Sequence, residues 1–161
     1  MFIMSVKATK KKMIYFVLGL TILILAGVII LFPKDTVAQT ATRNGVQINY
    51  LAKDNEGRIS FLKQYGWDIS PEPFEVKEVA LPADFDEVYQ EYNRIQLKQN
   101  MDLTKFRTKR VKRYAYDVKN YPGVTAGVRA NLLVYDDKVI GGDISTAELD
   151  GFMHGFEINT D

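Results

Sequence analysis

The run VRANLLVYDDKVIGGDIS, residues 128–145, decides the architecture of the larger part of this chain. Val128, Ala130, Leu132 and Val134 alternate with Arg129, Asn131 and Tyr135. A period of two places the apolar set on one face of a strand. Asp136-Asp137-Lys138 supplies a tight reversal, and Val139 to Ser145 returns antiparallel. Gly141-Gly142 inside the returning run predicts a bulge or the close approach of another backbone.

Upstream, Lys112, Tyr114, Tyr116 and Val118 alternate with Arg113, Ala115 and Asp117, and Asn120-Tyr121-Pro122-Gly123 is a turn signal. The three runs make a three-stranded antiparallel meander. Before it the period changes from two to 3.6. Phe85, Val88, Tyr89, Tyr92 and Ile95 form one apolar stripe, predicting a helix from Phe85 to about Gln99. Asp84 and Glu87 read as its capping box. At helical spacing these aromatics are read as core packing, not as a ligand box. Tyr92 and Leu132 are expected to be buried where this helix meets the middle strand. A first helix runs from a cap at Asp54 to Tyr65, with Gly66 ending it. Phe74, Val76 and Val79 predict a short strand between Pro73 and Pro82, and Val46, Ile48 and Tyr50 either a strand or an extended lead-in. The tail, Leu149 to Phe156, is expected to pack back over an end of the sheet. The fold class is α+β: an N-terminal transmembrane helix, then one domain with two helices packed on one face of an antiparallel sheet that ends in the meander. Its order of helix and then three strands resembles cystatin-like and propeptide-type domains, a likeness of topology that carries no function.

The membrane part of that expectation rests on MIYFVLGLTILILAGVIILF, residues 13–32, which hold no charged side chain. A helix of this length spans about 30 Å, the thickness of a bilayer's hydrocarbon core. Lys7, Lys10, Lys11 and Lys12 precede it, which predicts a cytoplasmic N-terminus and an outside location for the residues after the span. The chain then divides into a cytoplasmic basic segment (1–12), a single-pass transmembrane helix (13–32), a linker (33–44) and an extracytoplasmic domain (45–161). The rival reading is a signal peptide cleaved near Thr36-Val37-Ala38; the apolar stretch is longer than an ordinary h-region.

With those four lysines set aside, 17 of the 21 basic residues remain against 20 acidic ones, a net charge of −3. That balance makes no case for nucleic acid. The absence of cysteine excludes disulfides, thiolate catalysis, Cys-type zinc sites and a lipoprotein anchor. His154 is the only histidine, too few soft ligands for zinc, so no metal or cofactor is expected. Ser60, Ser70 and Ser145 lie outside any G-x-S-x-G elbow, and Gly141-Gly142 lacks the rest of a phosphate loop. Trp67, the only tryptophan, is read as core in preference to a sugar platform.

The one unusual charge feature is KFRTKRVKR, residues 105–113, with six basic residues in nine. Lys105, Arg107, Lys109, Arg110, Lys112 and Arg113 are the candidate binding residues, a patch for an anionic polymer or lipid headgroups. Two structural readings compete with it. Charges can protect an edge strand from unwanted pairing, or the acids of the 84–91 helix, or Glu72, Glu75 and Glu78, can neutralise the run within the fold.

Residues 128–145, ELDGFMHGF at 148–156 and PADFDEVYQEYN at 82–93 together resemble a family of small single-pass proteins from clostridia and related Firmicutes, known only as a domain of unknown function. The resemblance covers most of residues 45–156. It implies source, topology and a domain that follows an anchor, and it carries over no catalytic or binding residue. The expected function is a non-enzymatic, membrane-anchored extracytoplasmic interaction module of a Gram-positive cell. The alternatives are an extracytoplasmic hydrolase whose acids or His154 converge only in three dimensions, or a modulator of a membrane protein acting through residues 13–32.

Overall fold

Alternation and turn chemistry build most of the sheet directly. In a computed structural model that describes residues 40–43, 46–146, 148 and 151–157, Val128–Tyr135 and Lys138–Thr146 form an antiparallel hairpin closed by Asp136 and Asp137. Both aspartates take positive φ, 49° and 62°, as a two-residue turn matched to strand twist requires. The elements in order are β1 (Thr40–Arg43), β2 (Val46–Asn49), α1 (Asn55–Lys63), β3 (Glu75–Ala80), α2 (Glu87–Lys98), a 3-10 turn (Leu103–Phe106), β4 (Arg110–Asp117), β5 (Val128–Tyr135), β6 (Lys138–Thr146) and β7 (Met153–His154). β3 to β7 form one five-stranded antiparallel sheet in sequence order, so the expected meander is extended by one strand on each side. β1 and β2 pair separately, and β1 falls in the stretch read as linker. The expected span at 13–32 lies outside the described residues. No helix among the described residues is long and apolar enough to cross a membrane.

Local signals place the first helix and the β4–β5 turn. Asp54 Oδ1 accepts from Gly57 N at 2.8 Å, and Gly66 follows the helix end at φ 84°. Gly123 takes φ 74° after Pro122, the arrangement of a type II turn. β6 carries the expected bulge. Register passes from Val134↔Val139 to Leu133↔Gly141, so Ile140 is the extra residue.

Two helical expectations are corrected. α2 begins at Glu87, not Phe85, because Asp86 is the cap: its Oδ1 accepts from Tyr89 N at 2.9 Å. Phe85 is instead buried just ahead of the helix. The helices also occupy opposite faces of the sheet. Phe61 and Leu62 of α1 pack with Tyr116, Val128, Ala130, Leu132 and Ile144. Phe85 and the tyrosines of α2 pack with Val111, Leu133 and Ile140. Because successive strand residues point to opposite faces, Leu132 and Tyr92 never meet. Leu132 is fully buried under α1, while Tyr92 lies half-buried on the Leu133 side.

Candidate functional site

The side of the sheet under α2 is filled only in part. A cleft of about 790 Å³ lies there, lined by β3 to β7 and by one flank of α2. Val79, Leu81, Leu133 and Met153 supply apolar lining from the sheet and its edges, and Val88, Tyr89 and Ile95 supply it from the helix. Val88 is 74% exposed. The residues α2 buries are polar: Asn93, Gln96 and its cap Gln99. Each answers backbone that no ladder satisfies. Asn93 Oδ1 accepts from Leu103 N at 2.8 Å, and Gln96 Oε1 accepts from Gly142 N at 2.8 Å. Gln99 donates to Gly142 O at 3.1 Å and accepts from Phe156 N at 2.6 Å. These amides pin the helix to the bulge in β6 and to the C-terminal segment. The apolar stripe is thereby rolled partly off the sheet towards the cleft. Tyr89 and Tyr92 still pack, half-buried, against the Leu133 cluster as expected of the aromatics, whereas Val88 leaves the stripe for solvent.

The polar floor is built by strand register. Asn131 stands directly opposite Asp143, and Ser145 follows two residues on, so all three share one face. Asp143 is buried. Its Oδ1 accepts from Asn131 Nδ2 and from Ser145 Oγ, both at 2.8 Å, and its Oδ2 accepts from Tyr92 Oη–H at 2.9 Å. Burial raises the Asp143 pKa above the ordinary carboxylate value, although the three donors and Arg113 pull it down. Burial, with the neighbouring Asp143, pushes the Tyr92 phenol well above its ordinary value. Arg113 reaches the same floor from β4, its Nη2 donating to Glu75, while Lys77 Nζ contacts the other Glu75 oxygen at 2.6 Å. The Nε of Arg113 is buried and has no hydrogen-bond partner.

The Asp143 shift has a measurable consequence. Its folded pKa lies above an unfolded value of about 3.9, so between the two values the folded state binds the proton more tightly. Stability therefore falls as pH rises through that window. The destabilising contribution is absent below the unfolded pKa and complete above the folded one. In denaturant unfolding from about pH 3.5 to about pH 7, the parent should lose stability relative to Asp143→Asn as pH rises. A difference that stays constant with pH would show that Asp143 does not titrate in this way.

The residues singled out by sequence fall in different places. Of the basic run, Arg113 alone lines the cleft. Alternation along β4 sends Arg110 and Lys112 to the face opposite Arg113. Arg110 Nη1 pairs with Glu78 at 2.7 Å, and the Arg107 guanidinium lies 5.3 Å from the Phe85 ring. Lys105, Arg107, Lys109, Arg110 and Lys112 are exposed. β4 is an interior strand, so edge protection does not explain the run, whereas pairing with Glu75 and Glu78 accounts for two of its members. His154 sits opposite Ile144 on the α1 side, with Nε2 3.0 Å from the Tyr121 hydroxyl. It is thus on the opposite face from Asp143 and Ser145. Trp67 is core, 1% exposed, its Nε1 donating to Phe156 O at 2.6 Å. The described residues include no metal-binding group of His, Cys, Asp and Glu. Sequence reasoning missed Asn131, Asp143 and Ser145 as a floor. The signal available was the polar residues at alternate positions, Arg129 and Asn131 in one run and Asp143 and Ser145 in the next.

Residues 61–144 match a family model described as Domain of unknown function (DUF4830). The matched region holds most of the cleft lining and ends just after Asp143. No curated protein matches the chain, and no solved structure does.

Proposed function

The chain belongs to the DUF4830 family, a domain of unknown function, and on that premise we propose a non-enzymatic ligand-binding module, anchored in a membrane and facing outwards. The observation that carries the binding role is the cleft under α2. Its volume, about 790 Å³, falls in the range of small-molecule sites, roughly 300–1,000 Å³. Its apolar walls converge on a few polar groups, the usual composition of such sites. Chemistry is disfavoured by the arrangement of the same groups. The Asp143 carboxylate is occupied by three donors, and His154 stands on the other face, so Ser145 has no histidine base. The membrane role rests on residues 13–32 and the lysines before them.

The test uses the full chain in phosphatidylcholine nanodiscs. Short-chain amphiphiles are screened by saturation-transfer NMR, with empty nanodiscs as the reference. At least one should bind, and Ile95→Arg, which puts a charge on the helix wall of the cleft, should abolish that binding while leaving the circular dichroism unchanged. If no amphiphile exceeds the empty-disc signal, or if Ile95→Arg binds like the parent, the cleft is not a ligand site. For orientation, protease added to intact wall-stripped cells should digest the domain. Complete protection until lysis would place it inside.

A further inference from the structure

Carboxylates answer most of the arginines in this fold. Arg94 pairs with Glu91, Arg110 with Glu78, Arg113 with Glu75 and Arg129 with Asp117. Arg58, on α1, is buried more deeply than any of these, 8% exposed, and no carboxylate among the described residues pairs with it. A buried cation without an anionic partner is costly, and native proteins rarely keep one.

The surroundings of Arg58 hold its head still without using it up. The guanidinium carbon stands 3.9 Å from the centre of the Tyr114 ring. Nε–H donates to Tyr116 Oη at 2.8 Å, Tyr116 Oη–H donates to Asn55 Oδ1 at 2.8 Å, and Asn55 Nδ2 donates to Pro71 O at 2.7 Å. That chain consumes the Nε donor and leaves the two pairs on Nη1 and Nη2. Neither Nη has a hydrogen-bond partner among the described residues. Nor are they sealed off. The buried side-chain atoms without a partner, such as Arg113 Nε, include none of Arg58. The fork is therefore fixed in place and open at its Nη end.

One acid acts on this corner. Burial raises the Tyr116 phenol above its ordinary pKa, Arg58 draws it back down, and Tyr114 and Glu72 add to the rise. Glu72 is exposed, and its carboxylate pairs with no cation among the described residues. It stands near the guanidinium without answering it.

We propose that Arg58 is the binding site for a carboxylate-bearing ligand, whose two oxygens accept side by side from Nη1–H and Nη2–H. This is the pairing a planar guanidinium fork fits best. A single guanidinium beside Glu72 matches one negative charge, which favours a carboxylate over a phosphate group carrying about two at neutral pH. Val76, opposite Tyr114 on the edge strand β3 and 52% exposed, offers an apolar surface beside that ring for the body of the ligand. The site lies on the α1 side of the sheet, so it is separate from the cleft and does not depend on the reading of the cleft.

Benzoate, benzamide and phenyl phosphate test this. Each is titrated against the full chain in phosphatidylcholine nanodiscs and followed by saturation-transfer NMR, with empty discs subtracted. Benzoate should bind about tenfold more tightly than benzamide, which has the ring without the charge, and more tightly than phenyl phosphate. Arg58→Lys keeps the charge and loses the fork, so it should weaken benzoate about tenfold. Glu72→Gln removes the neighbouring negative charge and should tighten benzoate about threefold. Lys109→Gln combined with Lys112→Gln should leave its affinity unchanged. Absence of benzoate binding would assign the fork to water and overturn the proposal. So would benzamide or phenyl phosphate binding as tightly as benzoate, an Arg58→Lys chain that binds like the parent, or loss of binding in the Lys109 and Lys112 variant, which would place the anion on the basic run. If Arg58→Lys fails to fold, Glu72→Gln decides, and an unchanged affinity there overturns the site.

Discussion

Gly142→Ala is expected to destabilise the fold by about 3 kcal/mol or more, out of proportion to a single added methyl group. A Cβ at this position would lie 2.2 Å from Asn131 O and 2.4 Å from Phe156 Cζ. Neither obstacle yields easily. One is backbone of the neighbouring strand, and the other is the ring of a fully buried side chain. The backbone N–H and C=O of Gly142 are also held by Gln96 and Gln99, so β6 cannot shift without breaking the contacts that seat α2. Gly66→Ala is the comparison. It stands at φ 84° but has nothing within 4 Å, so only conformational strain opposes the methyl, about 1 kcal/mol. Denaturant unfolding followed by circular dichroism measures both. A Gly142→Ala chain no less stable than Gly66→Ala would mean that β6 and the Phe156 segment are not packed this closely.

Trp67→Ala should cost about 3–5 kcal/mol, the range for removing a large aromatic from a core. The indole is 1% exposed and stacks on Tyr121 with ring centroids 5.7 Å apart and planes 2° apart. Its Nε1–H donates to Phe156 O, tying the residues after α1 to the C-terminal segment 89 positions away. Trp67→Phe keeps a ring and loses that bond, so it should fall between the parent and the alanine variant. The same unfolding measurement reports both. A loss under about 1 kcal/mol for Trp67→Ala would show that the aromatic group of Trp67, Tyr121, Phe152 and His154 is a surface feature and not part of the core.

The sheet bulge, the α2 amides and the Trp67 indole converge at Phe156. The cleft depends on that junction. Gln96 and Gln99 set the roll of α2 through it, and the roll determines how much of Val88, Tyr89 and Ile95 faces the open side. A variant that loosens the junction should therefore disturb the proposed ligand binding as well as stability. Ile95→Arg acts on the wall alone.

Much of the sheet could be read from short-range chemistry. The alternation at 128–135, the paired aspartates at 136–137, the Asn120–Gly123 turn and the Asp54 cap each act within a few residues, so composition and spacing are enough to specify them. The existence of α2 belongs with them, although its cap moved from Asp84 to Asp86 because several acids precede it and only geometry chooses among them. The buried face of α2 was decided elsewhere. Hydrophobic periodicity reports which side chains avoid water, but the amides of Asn93, Gln96 and Gln99 are buried by backbone partners 10, 46 and 57 residues away. The choice of opposite faces for the two helices is of the same kind. β5 presents Leu132 to one side and Leu133 to the other, and the strand pattern does not say which helix takes which. The cleft floor needed the most from the fold. Arg113, Asn131 and Asp143 lie on three strands, and cross-strand register and the packing of α2 alone bring them together beside Tyr92.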